Sequence, residues 1–243
     1  MIENLAIITN TNSVNSDLWD CHIGQMHKYL SNKHYVFSDV EVPNPDVTNI
    51  LYNSEDKFRT QFLNCLKQVK EEYCLYLNED YLLFDKPDLK KLEEYVGVLK
   101  SLYSLSFIRL AKGIDHFHIP MSPTLNYLDC RNPYFFSQTA SLWKTSHLLA
   151  IHEHGPDLHI AGEDMSQQFE VAASDVCRGW GIQGFYHHDG EAKRGEHHYD
   201  SNVFPYTASA LVKGKWNFKE YKSELFSLKE EYNLNFDKRG IYQ

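Results

Sequence analysis

Glu79 and Asp80 stand side by side in an otherwise apolar and aromatic run, Tyr73-Cys74-Leu75-Tyr76-Leu77-Asn78-Glu79-Asp80-Tyr81-Leu82-Leu83-Phe84. Adjacent carboxylates in such a setting suit a hard divalent cation, which takes oxygen ligands and commonly bridges one or two carboxylates to substrate phosphates. The run reads as a strand buried on both faces, as in a parallel sheet. In open α/β sheets ligands collect beyond the carboxyl ends of such strands, so Asn78, Glu79 and Asp80 are expected to face a ligand. The plain alternative is a solvated turn between two strands.

Two further groups carry chemistry. Glu163 and Asp164 follow Gly162 at the start of a helix expected to run to about Asp175, where a helix N-terminus favours ionised carboxylates and simple capping is the alternative. His187 and His188 close the strand-like run Gly184-Phe185-Tyr186. Neighbouring strand residues point to opposite faces, so at most one of the two is expected at a site.

These groups need a frame. Leu5 to Thr9 form a short apolar strand ending in the polar run Thr9-Asn10-Thr11-Asn12-Ser13, a composition suited to a ligand-facing loop. A helix from about Asp17 to Leu30 and a strand from His34 to Val42, stopped by Pro43 and Pro45, are expected next. Ser54 to Val69 reads as an amphipathic helix with Phe58, Phe62, Leu66 and Val69 on one side. After the acid-ended strand, Pro87 and Asp88 open a helix to about Leu102, and Ser106 to Leu110 form another strand. Gly113 to Pro133 read as an irregular excursion, Tyr134 to Lys144 as a strand, and Lys219 to Tyr232 as the last clear helix. Strands alternating with helices predict an α/β fold with a parallel or mixed sheet.

The chain has 243 residues, enough for one large domain, and 42% of them are hydrophobic. With 24 Lys and Arg against 33 Asp and Glu, the formal charge is −9, and no long basic run is present, which disfavours nucleic acid as a partner. The five cysteines are scattered without Cys-x-x-Cys spacing, as expected of free thiols in a reducing compartment. Met1 to Ile8 lack a basic leader, and no stretch has the length of a membrane span, so a cytoplasmic protein is expected.

The order of elements resembles the GT-A-like nucleotide-sugar glycosyltransferases. Asn78-Glu79-Asp80 is similar to that superfamily's Asp-x-Asp motif, with Asn in place of the first Asp, and the loop after the first strand resembles its nucleoside-binding loop. The resemblance implies a GT-A-like, Rossmann-like mixed sheet, mostly parallel and flanked by helices, over residues 1–243. About 1–112 would be the nucleotide-sugar half, and about 113–243 the acceptor half with a C-terminal elaboration. It implies transfer of a sugar from a nucleotide-diphosphate donor to the hydroxyl of a glycan or lipid-linked glycan, with Mn²⁺ or Mg²⁺ held by Asp80. Asn78 and Glu79 would position ribose or donor sugar, and Thr9, Asn10 and Thr11 would contact the nucleoside, with Asp17 and Asp39 as further candidates. Glu163-Asp164 is similar to the acidic pair that provides the general base in inverting members, where a carboxylate takes the acceptor's proton as it attacks the anomeric carbon. A histidine from the later strand, His187 or His188, would supply a further metal or phosphate contact. Lys193 and Arg194, in a loop expected to be mobile, would neutralise the departing diphosphate.

Two other readings compete. A fold can persist without its activity, as a carbohydrate-binding protein would. His152-Glu153-His154, in a region read as loop, with His187-His188-Asp189 and His197-His198 could serve a metal-dependent hydrolase, though the His-Glu-x-x-His spacing is missing. Neither a Gly-x-Ser-x-Gly elbow nor a phosphate loop ending Gly-Lys-Ser/Thr occurs. The aromatic block Phe135 to Trp143 could be an acceptor platform, with core packing as the plainer reading.

Overall fold

The computed structural model describes residues 1–113, 117–155 and 165–243, apart from the side chains of 165–167. Its first part is β1 (Leu5–Asn10), a 3-10 turn (Ser13–Leu18) leading into α1 (Trp19–Tyr29), β2 (Lys33–Ser38), β3 (Thr48–Leu51), α2 (Phe58–Leu66), β4 (Tyr73–Asn78), α3 (Leu89–Ser101) and β5 (Leu105–Arg109). β6 (Leu125–Leu128), β7 (Ser141–Lys144), α4 (Thr145–His154), α5 (Met165–Gly179) and β8 (Gln183–His187) follow. Together they make an eight-stranded sheet in the order β3-β2-β1-β4-β7-β5-β8-β6. β7 is antiparallel to β4 and β5, and β6 is antiparallel to β8. The other pairs are parallel, so the chain is an α/β protein with a mostly parallel mixed sheet flanked by helices.

Alternation along the strands sorts the core into two layers. Ile7, Leu75 and Leu77 pack with Met26 of α1 and with Leu92, Val96 and Leu99 of α3. Ala6, Ile8, Cys74 and Tyr76 pack with Phe62 of α2, Leu148 and Ile151 of α4, and Phe169 of α5. At about 25 cal/mol per Å² of apolar surface removed from water, these two layers are the main source of stability. Helix α3 starts where expected because the Asp88 carboxylate accepts a hydrogen bond from Lys91 N at 2.9 Å.

Beyond the sheet lie a short hairpin, β9 (Lys193–Arg194) with β10 (His198–Tyr199), and a C-terminal unit of β11 (Leu211–Val212), β12 (Lys215–Asn217), α6 (Phe218–Tyr232) and β13 (Ile241–Tyr242). Trp216, Tyr221, Leu225 and Phe236 of this unit share a core with Leu18, Cys21 and Leu82, which ties the C-terminus to the ends of β1 and β4.

Several expectations are corrected. Residues 134–140 are not strand: only Ser141–Lys144 joins the sheet. Side chains satisfy the backbone of the preceding stretch, with Ser174 Oγ accepting from Phe136 N, Glu170 from Gln138 N, and Arg109 donating to the carbonyls of Tyr134 and Phe135. The strand after α1 ends at Ser38, and the excursion expected over 113–133 contains β6. The segment holding His152-Glu153-His154 is the last turn of α4, not a loop, and His152 is buried between the rings of Phe62 and Phe169. The stretch carrying Lys193 and Arg194 is the β9–β10 hairpin rather than an open loop. Its Gly195 has φ +61°, and a Cβ there would collide with Glu220.

Candidate functional site

β1 and β4 are parallel neighbours in register, Asn10 opposite Asn78, while β2 and β3 continue the sheet on the far side of β1. The chain therefore leaves β1 toward one side and β4 begins the other, which makes their carboxyl ends a topological switch point, where open α/β sheets have their ligand crevice. Glu79 and Asp80 sit at that crevice. Glu79 is buried and Asp80 is partly exposed. Burial, and for Glu79 the neighbouring Asp80 charge as well, pushes both carboxyl groups well above their ordinary values.

Three segments hold this acid pair. Asn15, in the turn after β1, donates from Nδ2 to Glu79 Oε1. The strap 207–211 holds Asp80: its carbonyl accepts from Ala210 N at 2.9 Å and from Thr207 Oγ1 at 3.0 Å, while the Ser209 side chain and the Leu211 amide face its carboxylate. Arg239, from the turn before β13, donates to Asn15 Oδ1 at 3.0 Å and to Asp17 Oδ2 at 2.7 Å. Against burial, which alone would raise it, the Arg239 guanidinium holds the Asp17 carboxyl below its ordinary value.

The other expected residues divide between this crevice and the interior. Asn10 and Asn78 are partly exposed at the strand ends, and Asn78 Oδ1 lies 3.4 Å from the hydroxyl of Tyr76, which also donates to Gln138 at 2.9 Å. Thr11 is buried. Its hydroxyl accepts from Trp19 Nε1 at 2.8 Å, and its carbonyl from the Tyr52 hydroxyl at 2.7 Å. Asp39 caps the loop by accepting from Ser13 N at 2.7 Å and Ser13 Oγ at 2.6 Å. Thr9 points away from the crevice: its hydroxyl is 2.8 Å from both His22 Nε2 and His34 Nε2, with His27 beyond at 3.1 Å from His34 Nδ1.

His187 is inside the protein. Its Nδ1 meets the Tyr95 hydroxyl at 2.7 Å, and its Nε2 meets Glu191 Oε1 at 2.6 Å and Asn202 Oδ1 at 2.7 Å. His188, just past the end of β8, is 3.1 Å from the other Glu191 oxygen and packs edge-on against Tyr199. Arg194 is bound by Asp200 at 2.8 Å, Glu224 at 3.0 Å and the Glu220 carbonyl at 2.8 Å, whereas Lys193 is exposed. Glu163 and Asp164 lie outside the described residues.

Asp80 and Glu79 offer the oxygen donors that Mn²⁺ or Mg²⁺ takes. Among the described residues no group of three or more His, Cys, Asp or Glu side chains could hold a metal ion. Such a donor set fits a cation bound by one or two carboxylates that completes its shell with phosphate oxygens and water, not an all-protein cage.

No family model and no curated protein matches the chain. Solved structures resemble it at low identity. A CMP:2-keto-3-deoxy-manno-octonic acid synthetase complexed with CTP is 12% identical over 75% of this chain and 88% of that one, with a TM-score of 0.46. A nucleotidyl transferase from Methanothermobacter is 7% identical over 75% and 85%, with a TM-score of 0.47. A mannosyltransferase from Pyrobaculum calidifontis in complex with GDP-Man and Mn²⁺ is 13% identical, covering 70% of this chain and 52% of that one, with a TM-score of 0.43. Among the described residues no helix is long and apolar enough to cross a membrane.

Asn15 and Arg239 are site residues that the sequence pattern does not reveal. Asn15 belongs to the polar stretch after β1, where composition offered a signal. Arg239 stands 160 positions beyond Glu79 in the numbering, and only the shared core of Leu18, Trp216 and Phe236 brings it there.

Proposed function

We propose that the chain is a glycosyltransferase that moves a sugar from a nucleotide-diphosphate donor to an acceptor hydroxyl, with inversion and with Mn²⁺ or Mg²⁺ at Asp80. One GT-A-like unit over 1–243 would divide into a nucleotide half and an acceptor half near residue 112. The observation that carries the reading is the acid pair at the crevice between β1 and β4, whose carboxyl groups burial pushes up. Strongly shifted titratable groups at such a switch point are candidates for a functional site. A divalent cation there would supply electrostatic stabilisation of the departing diphosphate. Asp80 would hold the cation. Asn78 and Asn10, partly exposed at the adjoining strand ends, would meet ribose or donor sugar, and Lys193 would approach the diphosphate from the hairpin. Glu163 or Asp164 would take the proton of the acceptor hydroxyl, which belongs to a glycan or a lipid-linked glycan.

The test is calorimetric titration of UDP, GDP, dTDP and CMP, with and without Mn²⁺, into the native protein and Asp80→Ala. Metal-dependent binding of one nucleotide, lost in the variant, is expected. Absence of binding to all four would remove the transferase reading and leave the carbohydrate-binding one. Donor-sugar transfer that survives in both Glu163→Gln and Asp164→Asn would remove the assignment of the base.

A further inference from the structure

Asn15 lies between two groups that leave its amide no freedom. On one side is Arg239, which can only donate hydrogen bonds and so requires an oxygen opposite it; on the other is the Glu79 carboxyl group. Arg239 Nη2 meets Asn15 Oδ1 at 3.0 Å and Asn15 Nδ2 meets Glu79 Oε1. The amide orientation is thereby set by chemistry: the reverse orientation would put an N–H against a guanidinium. The Arg239 end is itself rigid. Asn233 terminates α6 in the left-handed region with φ 53°, Asn235 Oδ1 accepts from Asp237 N at 3.0 Å and Lys238 N at 3.2 Å, and Trp216 N donates to the Gly240 carbonyl at 3.0 Å. Phe236 is buried against Trp216 and Phe218. The guanidinium also donates to the Val14 carbonyl at 3.0 Å and pairs with Asp17, so it grips both ends of the turn that carries Asn15.

We propose that Arg239 is a positioning residue for the donor site: acting through Asn15, it fixes the Glu79 carboxylate beside Asp80 and holds the loop after β1 against the end of β4. The C-terminal turn is thus a working part of the crevice rather than an appendage. This rests on the function proposed above for what the crevice binds, but the Arg239–Asn15–Glu79 coupling itself does not. Arginine is the residue that can do this, because its planar fork reaches Asp17 and Asn15 at once; a lysine offers a single ammonium and keeps one contact at most.

The experiment is a double-mutant cycle on Arg239→Met and Asn15→Ala with two readouts. The first is hydrogen exchange of the Asn15 side-chain amide, measured by NMR on the ligand-free protein, with the resonance assigned by its loss in Asn15→Ala. The second is the affinity for Mn²⁺ alone and for Mn²⁺ with each nucleoside diphosphate. Exchange at Asn15 is expected to accelerate by about tenfold in Arg239→Met, the value of one lost hydrogen bond to a charged group. Affinity should fall by about tenfold in each single variant and no further in the double, because the two residues act in series. Arg239→Lys, which can keep the Asp17 ion pair and so the fold, is expected to show the same faster exchange. An unchanged Asn15 amide in Arg239→Lys and Arg239→Met would overturn the proposal, as would multiplying losses in the double variant, which would mean that Arg239 meets the ligand directly. If the native protein binds neither metal nor nucleotide, the transferase reading falls, and the Asn15 exchange rates alone decide the positioning role.

Discussion

The carboxyl ends of β4 and β8 lie at the same edge of the sheet, since β7 is antiparallel to β4 and to β5, and β5 is parallel to β8. Both ends bury acidic side chains, and they treat them in opposite ways. At β8, Glu191 accepts from His187 and from Asp189 N; burial alone would raise its carboxyl group, but these bonds hold it down at about 2. His187 is in turn bound to Tyr95, and Tyr95 to Thr124 at 2.9 Å. That network is closed on itself. At β4, Glu79 has one side-chain amide, from Asn15, Asp80 has neutral donors only, among them Ser209 and the Leu211 amide, and Arg239, whose charge acts on both acids, is committed to Asp17. A carboxylate that its own fold satisfies has nothing left for a ligand. One that the fold strains is still short of a positive partner. This is why the proposal places chemistry at β4, and why His187, nominated as a metal contact by its position, is instead read as structural.

The largest difference between the two ends should appear in binding. Asp80→Ala is expected to weaken metal-dependent nucleotide binding by at least about a hundredfold, since even partners behind a metal ligand are worth about 10–100-fold. His187→Gln should leave it within a factor of about three. Calorimetry on both variants checks this, and a loss confined to His187→Gln would reverse the assignment of the two ends.

Stability should show the opposite order. Glu191→Gln is expected to destabilise the protein by about 2 kcal/mol near pH 7, the value of a carboxyl group lowered from 4.5 to about 2, reduced for its partial exposure. Because its folded value lies below its unfolded one, that contribution is complete above about pH 4.5 and vanishes as the pH falls toward about 2. Denaturant midpoints of native and variant protein should therefore converge on acidification. Parallel curves would mean that the network does not depend on the charge of Glu191.

A third buried polar group, Thr9 with its histidines, sharpens the contrast. Burial pushes His22 down to about 3 and His34 well below its ordinary value, so both are neutral near pH 7. The other ring nitrogen of His22 faces the carbonyls of Glu79 and Tyr81. If that nitrogen carries the hydrogen, Thr9 donates to His22 and accepts from His34, a chain with one direction. Thr9→Val removes the shared hydroxyl, strands two buried ring nitrogens, and is expected to lower stability by about 2 kcal/mol by thermal melting. A change under about 0.5 kcal/mol would show that the histidines find other partners.

What the sequence reveals follows from how local the cause is. The acid-ended strand is legible in Tyr73–Asp80 because hydrophobicity breaks off at two charges, and α3 and α6 are legible because Asp88 and Asn217 cap apolar stripes. β3 is missed because Thr48–Leu51 is a four-residue edge strand with only Ile50 buried. The stretch 134–140 misleads because its aromatic composition favours strand, while Phe135 and Phe136 are buried as loop residues with their backbone satisfied by α5 and Arg109. Within the site, Glu79 and Asp80 are readable from composition, but the Arg239–Asn15 grip depends on packing between distant segments, which no periodicity records.

The smallest expected effect tests the comparison from the side of the acid pair. Asp80 has an ordinary value of 3.8 and a higher one in the folded protein, because burial disfavours its charge. Between those two values the folded state holds a proton that the unfolded state releases, so stability falls as the pH rises through that window, and the penalty is complete above it. Asn has nearly the same shape and cannot ionise. Asp80→Asn is therefore expected to be more stable than the native protein by about 1–2 kcal/mol near pH 8, a figure reduced for the partial exposure of Asp80, and equal to it near pH 4. Urea midpoints at the two pH values measure it. A variant less stable at both would mean that Ser209 and the Leu211 amide satisfy Asp80 as fully as His187 satisfies Glu191. The β4 end would then be a closed network too, with no unmet charge to draw a cation.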